Sequence, residues 1–208
     1  FLVIFHLGAL HEVGSNNPDG VEIKEHKGSD GVPLDGIAFH PYYTVKDLVG
    51  VVVFLMIFCA IIFFAPTMGG LFLEHANFEP ADPLRTPEHI APVWYFTPYY
   101  AILRAVPNKL AGVLLMGGAI VLLFFLPWLD RCKVKSWQYR GTSFKFALLT
   151  FAVTFIALGY LGLQPATPES TLAARIFTVV YFAFFLAMPF YTKNERTKPV
   201  PDRVKFHA

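Results

Sequence analysis

Cysteine is scarce in this 208-residue chain, which holds only Cys59 and Cys132. The first falls inside one apolar run and the second at the far end of the next, so their depths exclude a disulfide between them. Cys132, with only Lys133 beside it, reads as an unactivated thiol. Charge is scarce too: Asp, Glu, Lys and Arg make up 15% of the residues, with a formal net charge of +2. No basic cluster is interleaved with aromatic residues, which argues against nucleic acid as a partner. The N-terminus lacks an initiating Met, a basic leader and a small-residue cleavage site, so a signal peptide is not expected there. Phe1–Leu10, apolar apart from His6, reads instead as the end of a helix that begins further upstream. No internal repeat or low-complexity tract stands out.

Apolar residues are abundant, at 55% with 22 Phe and a mean hydropathy of +0.49, which points to an integral membrane protein. A hydrocarbon core of about 30 Å needs roughly 20 apolar residues in a helix. Leu48–Pro66, Leu110–Leu129, Phe146–Leu163 and Leu172–Tyr191 meet or approach that length. The first two carry no charge, the third none after Lys145, and the fourth only Arg175 near its start, where a long side chain snorkels to the interface. The expected fold is an all-α membrane bundle: the end of one helix (1–11) and four spans (47–66, 109–129, 146–164 and 172–191).

Basic residues concentrate in 130–145 (Arg131, Lys133, Lys135, Arg140, Lys145) and in 192–208 (Lys193, Arg196, Lys198, Arg203, Lys205). By the positive-inside rule both face the cytoplasm. Parity then puts loop 12–46 inside, and loops 67–108 and 165–171 outside. Loop 67–108 is too long for a simple connector. Prolines cut it into pieces, and short helices are expected at Leu84–Ile90 and Val93–Val106, lying on the outer membrane surface. Trp94, Tyr95, Tyr99 and Tyr100 suit either an interfacial aromatic belt or a ligand site, and spacing alone does not choose.

Two histidines carry the next clue. His6 lies in an apolar helical stretch and His11 five residues on, a step of about 500°, so the rings point about 140° apart and do not share one metal. An imidazole inside a membrane helix suggests haem iron, a proton relay or an inter-helix hydrogen bond.

His6 through Pro18, Phe39 through Asp47, and Thr86 through Lys109 together resemble cytochrome b of the cytochrome bc complexes, the respiratory quinol:cytochrome c oxidoreductases. The likeness covers the C-terminal half of that family, of a bacterial inner-membrane type. It implies that His6 is an axial ligand of the higher-potential haem b, one of two haems in the family, with its partner histidine on an absent helix. It implies a quinone-reducing site with His11 and Asp47, and with Ser15 and Lys46 nearby. An imidazole and a carboxylate suit the delivery of two protons to a reduced quinone. For Asp47 a helix N-cap or first-turn anion is the plainer alternative. Pro92-Val93-Trp94-Tyr95 matches the family's Pro-Glu-Trp-Tyr motif of the quinol-oxidising site, with Phe96 and Tyr100 as further pocket residues. Here Val93 stands where the family has a proton-accepting glutamate, and Glu88 is the candidate for proton exit in its place, against a solvated carboxylate as the plainer reading.

The resemblance further implies bifurcated oxidation of ubiquinol: one electron to a Rieske iron–sulfur protein, the other through the haems to ubiquinone on the inner side. Implied partners are that Rieske protein, a cytochrome c1-type subunit, the N-terminal half of cytochrome b, membrane lipid and a second copy of the complex. Subunit IV of the plastoquinol complexes is the nearest alternative, but it usually lacks the His6 ligand and a fourth span. A transporter fragment would show broken or charged spans. A purely structural subunit would leave the polar and aromatic segments Phe39–Asp47 and Pro92–Phe96 unexplained.

Overall fold

The structure, a computed structural model, describes residues 1–73, 75–87 and 90–205. Seven α-helices form among them: α1 (Leu2–Val13), α2 (Tyr42–Phe64), α3 (Thr97–Ala105), α4 (Lys109–Phe124), α5 (Leu126–Leu129), α6 (Thr142–Leu163) and α7 (Pro168–Lys193). Three of these, α2, α6 and α7, are long and apolar enough to cross a membrane.

The apolar run expected to form one span over 109–129 is divided. Pro127 has no N–H to return to the preceding turn, and α4 ends at Phe124 while α5 restarts at Leu126. The remaining spans are longer than their apolar cores suggested, because polar residues add turns at their ends. Thr167 caps α7, its Oγ1 accepting from the Ser170 amide, and Pro168 and Glu169 occupy the first turn, a favoured helix start.

The loop expectations need a larger correction. Residues 84–87 form no helix: the chain turns at Asp82, whose carboxylate accepts from the Leu84 amide. The Val93–Val106 segment is helical over most of its length and packs on the bundle. A single 3₁₀ turn, Trp94–Phe96, leads into α3, and α3 packs against α4, α6 and α7. Its apolar stripe Thr97, Pro98, Ala101, Ile102 and Ala105 recurs at helical spacing and is buried.

The core consists of Ala101, Ile102, Ala119, Leu158, Tyr181 and Phe185, with Phe151 stacked on Phe184 at 4.5 Å between ring centroids. The Tyr181 hydroxyl, fully buried, donates to the Ala119 carbonyl at 3.0 Å, so the core carries a satisfied polar tip. Helices α1 and α2 contribute no buried residue.

Small residues let α3 approach its neighbours closely. A Cβ on Gly162 would collide with the Thr97 carbonyl, and one on Gly112 with the Leu103 carbonyl. Gly162→Ala is expected to destabilise by roughly 1–3 kcal/mol, the range for overpacking. Gly117→Ala, at a helical position with open space, should not. Thermal unfolding of the full-length protein in detergent measures the difference.

Candidate functional site

At the end of the bundle carrying the basic loop, polar side chains tie distant segments together. Arg140 lies between two carboxylates, donating to both oxygens of Asp130 at 2.8 and 3.1 Å and from Nε to Glu195 at 2.9 Å. The Phe144 ring supports the guanidinium from 3.6 Å. The Arg140 and Glu195 side chains are 5% and 0% exposed, so this pair is a buried one. Cys132 sits beside it, and burial pushes its thiol up, away from the reactive thiolate.

The loop after α1 is held at the same end. Asp19, 1% exposed, accepts from the Tyr139 hydroxyl at 2.6 Å and from the Lys205 amide at 2.8 Å. The bond to Asp19 holds the Tyr139 phenol above its usual range. Ser136 Oγ donates to the Pro18 carbonyl. Asp35 pairs with Arg203 at 2.7 Å, and that hydrogen bond holds its carboxyl below the usual value. A depressed carboxylate contributes its stability above its unfolded pKa of about 3.9 and loses it as pH falls through the lower folded value. The tether therefore persists at neutral pH.

The candidate residues of this end are presented by α1 and α2. His6 is exposed on α1, and no hydrogen bond to its ring is present among the described residues. His11, also exposed, uses Nδ1 to bond the Leu7 carbonyl at 2.7 Å. A carbonyl only accepts, so Nδ1 carries the hydrogen and a neutral ring leaves Nε2 as a free acceptor. Gly14 ends α1 with φ +80°, a conformation favouring glycine. Lys24 Nζ caps the last turn, donating to Glu12 and Val13 carbonyls at 3.2 and 3.3 Å. Ser15 lines an open cleft of about 580 Å³ with Asn16, Lys24 and Lys135.

Lys46 and Asp47 are exposed on α2, with Lys46 over the Tyr43 ring at 5.7 Å. Helix α2 starts at Tyr42, which puts Asp47 in its second turn and removes the N-cap alternative. Among the described residues, no hydrogen bond or ion pair joins His11 or Ser15 to Lys46 or Asp47.

The opposite end carries Pro92-Val93-Trp94-Tyr95-Phe96. Val93 opens the 3₁₀ turn, its carbonyl accepting from the Phe96 amide at 2.8 Å. Trp94, Tyr95 and Phe96 are about half exposed and contact one another edge-on or tilted. Thr97 Oγ1 donates to the Trp94 carbonyl at 2.6 Å, fixing the turn to the start of α3. Tyr100 is half-buried, one turn from Arg104, whose guanidinium lies 4.6 Å from its ring. Glu88 lies outside the described residues.

Sequence reading missed Arg104 and the Arg140 pair with Glu195. Only an Arg or Glu inside or beside an apolar run signals such a role, and partners 55 or more residues apart leave no local pattern.

The chain matches the family model described as cytochrome b(C-terminal)/b6/petD over residues 80–182. Cytochrome b of Allochromatium vinosum is 61% identical over 211 residues, covering 98% of this chain and 51% of that protein. Cytochrome b of Rhodospirillum rubrum is 48% identical, covering 97% of this chain and 47% of its own length. A solved chain of a hyperthermophilic respiratory complex III is 36% identical, with a TM-score of 0.80 over 92% of this chain and 46% of that one. The chain thus spans about half the length of these relatives.

Proposed function

This chain belongs to the cytochrome b family as its C-terminal region, and from that premise we propose that it forms part of a quinol:cytochrome c oxidoreductase with quinone chemistry at both ends of its bundle. One observation carries the reading. The loop holding Ser15 is fastened at the basic end, through Asp19 and Tyr139, while the Pro92–Tyr95 turn packs with α3 at the far end of α6. An apolar core separates them.

His11 and Asp47 are the proton-active groups of the quinone-reducing site. His11 keeps Nε2 free because Nδ1 is committed to Leu7, so one face of the ring exchanges a proton with a quinone oxygen. Asp47 supplies a carboxylate as the second proton-active group, and Ser15 and Lys46 complete the polar rim. At the quinol-oxidising site Val93 shapes the pocket without carrying a proton, and Trp94, Tyr95, Phe96 and Tyr100 present flat apolar faces to a quinol ring.

His6 fits a haem ligand: its ring is uncommitted among the described residues, and it stands on an apolar helix with no buried face. His6 would supply one imidazole to the haem iron and a histidine of the family's N-terminal half the other; no group of three or more metal-ligating side chains occurs among the described residues. When bound, a bis-histidine haem supplies one-electron transfer with no open iron position. Glu88 serves proton exit. The complex sits in a bacterial inner membrane with 130–145 and 192–208 cytoplasmic, takes ubiquinol and ubiquinone, and joins a Rieske protein, a cytochrome c1-type subunit and the N-terminal half of cytochrome b in a dimer.

The test replaces Asp47 with Asn and His11 with Leu in the full-length complex. Reoxidation of the b-type bands by quinone is expected to slow by roughly a hundredfold, with their reduction by quinol unchanged. Unaltered reoxidation in both variants would remove these residues from the reaction.

A further inference from the structure

Arg104 lies at the end of α3, where its terminal nitrogen donates to three backbone carbonyls of another helix: Leu161 at 2.8 Å, Gln164 at 3.0 Å and Gly162 at 3.4 Å. These carbonyls lie at the C-terminal end of α6, where the helix dipole is negative and a cation is favoured, and Leu161 also accepts from the Gln164 amide at 3.2 Å. No carboxylate pairs with Arg104 among the described residues, so backbone carbonyls are its hydrogen-bond acceptors there. Its Nε–H is buried without a hydrogen-bond partner. A guanidinium satisfied at one nitrogen and orphaned at another is oriented by something besides hydrogen bonding.

That other element is Tyr100. Four residues earlier on α3, its ring lies on the same helix face, 4.6 Å from the guanidinium carbon. The Tyr100 hydroxyl reaches back to the Ile90 carbonyl at 3.4 Å, closing the loop that contains Pro92 and Val93. About one turn before Tyr100, Thr97 is pressed against Gly162 and holds the Trp94 carbonyl. The same seam between α3 and α6 therefore supports the motif at its start and Tyr100 at its middle, and Arg104 fastens the seam at its end.

We propose that Arg104 is a positioning residue of the quinol-oxidising site, clamping the Tyr100 ring and the Pro92–Tyr95 turn onto the C-terminal end of α6. This rests on the reading of that turn and Tyr100 as the quinol site. The role needs arginine: a lysine ammonium caps carbonyls but has no planar face to stack on an aromatic ring.

The experiment uses the full-length complex with Arg104→Lys, Arg104→Met, Tyr100→Leu and the double variant Arg104→Lys with Tyr100→Leu, measuring kcat and KM for quinol. Reduction of quinone at the opposite end reports intact folding. Arg104→Lys is expected to lower kcat/KM for quinol roughly ten- to a hundredfold, the scale of a small misplacement of a reacting partner, with the opposite end unaffected. Adding it to Tyr100→Leu should cost nothing further, because Arg104 acts through that ring. The proposal is overturned if Arg104→Lys leaves quinol oxidation unchanged, if the two losses multiply, or if both ends fail together. Should Arg104→Met fail to accumulate, Arg104→Lys alone decides among these outcomes. If Tyr100→Leu alone leaves quinol oxidation intact, the quinol-site reading fails and this proposal with it; a slow Tyr100→Leu beside a normal Arg104→Lys overturns the clamp alone.

Discussion

His6→Leu in the full-length complex is expected to abolish the higher-potential b-type band of the reduced-minus-oxidised spectrum and to spare the lower-potential one. Leucine is a strong helix former, so α1 should persist and the loss should report the missing ligand rather than a missing helix. His11 offers no rescue. It projects about 140° away around the helix axis, and its Nδ1 is held by the Leu7 carbonyl. A bis-imidazole site stripped of one ligand is therefore expected to lose its band outright rather than shift it. Retention of both bands would reject His6 as a ligand.

The second large effect is expected at Arg140. Removing the cation by Arg140→Met leaves the fully enclosed Glu195 carboxylate and the Asp130 carboxylate, 29% exposed, with no charge between them. Breaking one side of a buried pair in this way costs about 3–5 kcal/mol, because the surviving charges stay buried. Arg140→Lys is expected to fall between the variant and the parent, since an ammonium cannot reproduce the two-oxygen grip on Asp130 together with the Nε bond to Glu195. Unfolding temperature and accumulation in the membrane are the measurements, and an Arg140→Met protein as stable as the parent would show that the cluster carries no weight.

Hydropathy made the existence of the apolar helices legible, since about 20 residues of hydrocarbon-compatible sequence have few other uses. The division of 109–129 was also written in the chain, at Pro127, but composition averaged over the run concealed it. The burial of α3 was harder to read. Its tyrosines suggest an interface, whereas the deciding residues are the small ones, Thr97, Ala101 and Ala105 on α3 and Gly162 on α6, whose meaning appears only once the helices are paired. At the candidate sites, His6, His11 and the Pro92–Tyr95 motif were visible by residue type. Their supports, Lys24, Arg104 and Tyr139, were not, because each acts on backbone or side chains remote in sequence.

The contacts of Asp19 and Asp35 with residues 203–205 span most of the chain. During synthesis, the segment bearing Ser15 emerges from the ribosome long before Arg203 and Lys205 do. Its final shape waits on residues 203–205, so α2, α6 and α7 have all been translated by the time the loop at the basic end is locked in place.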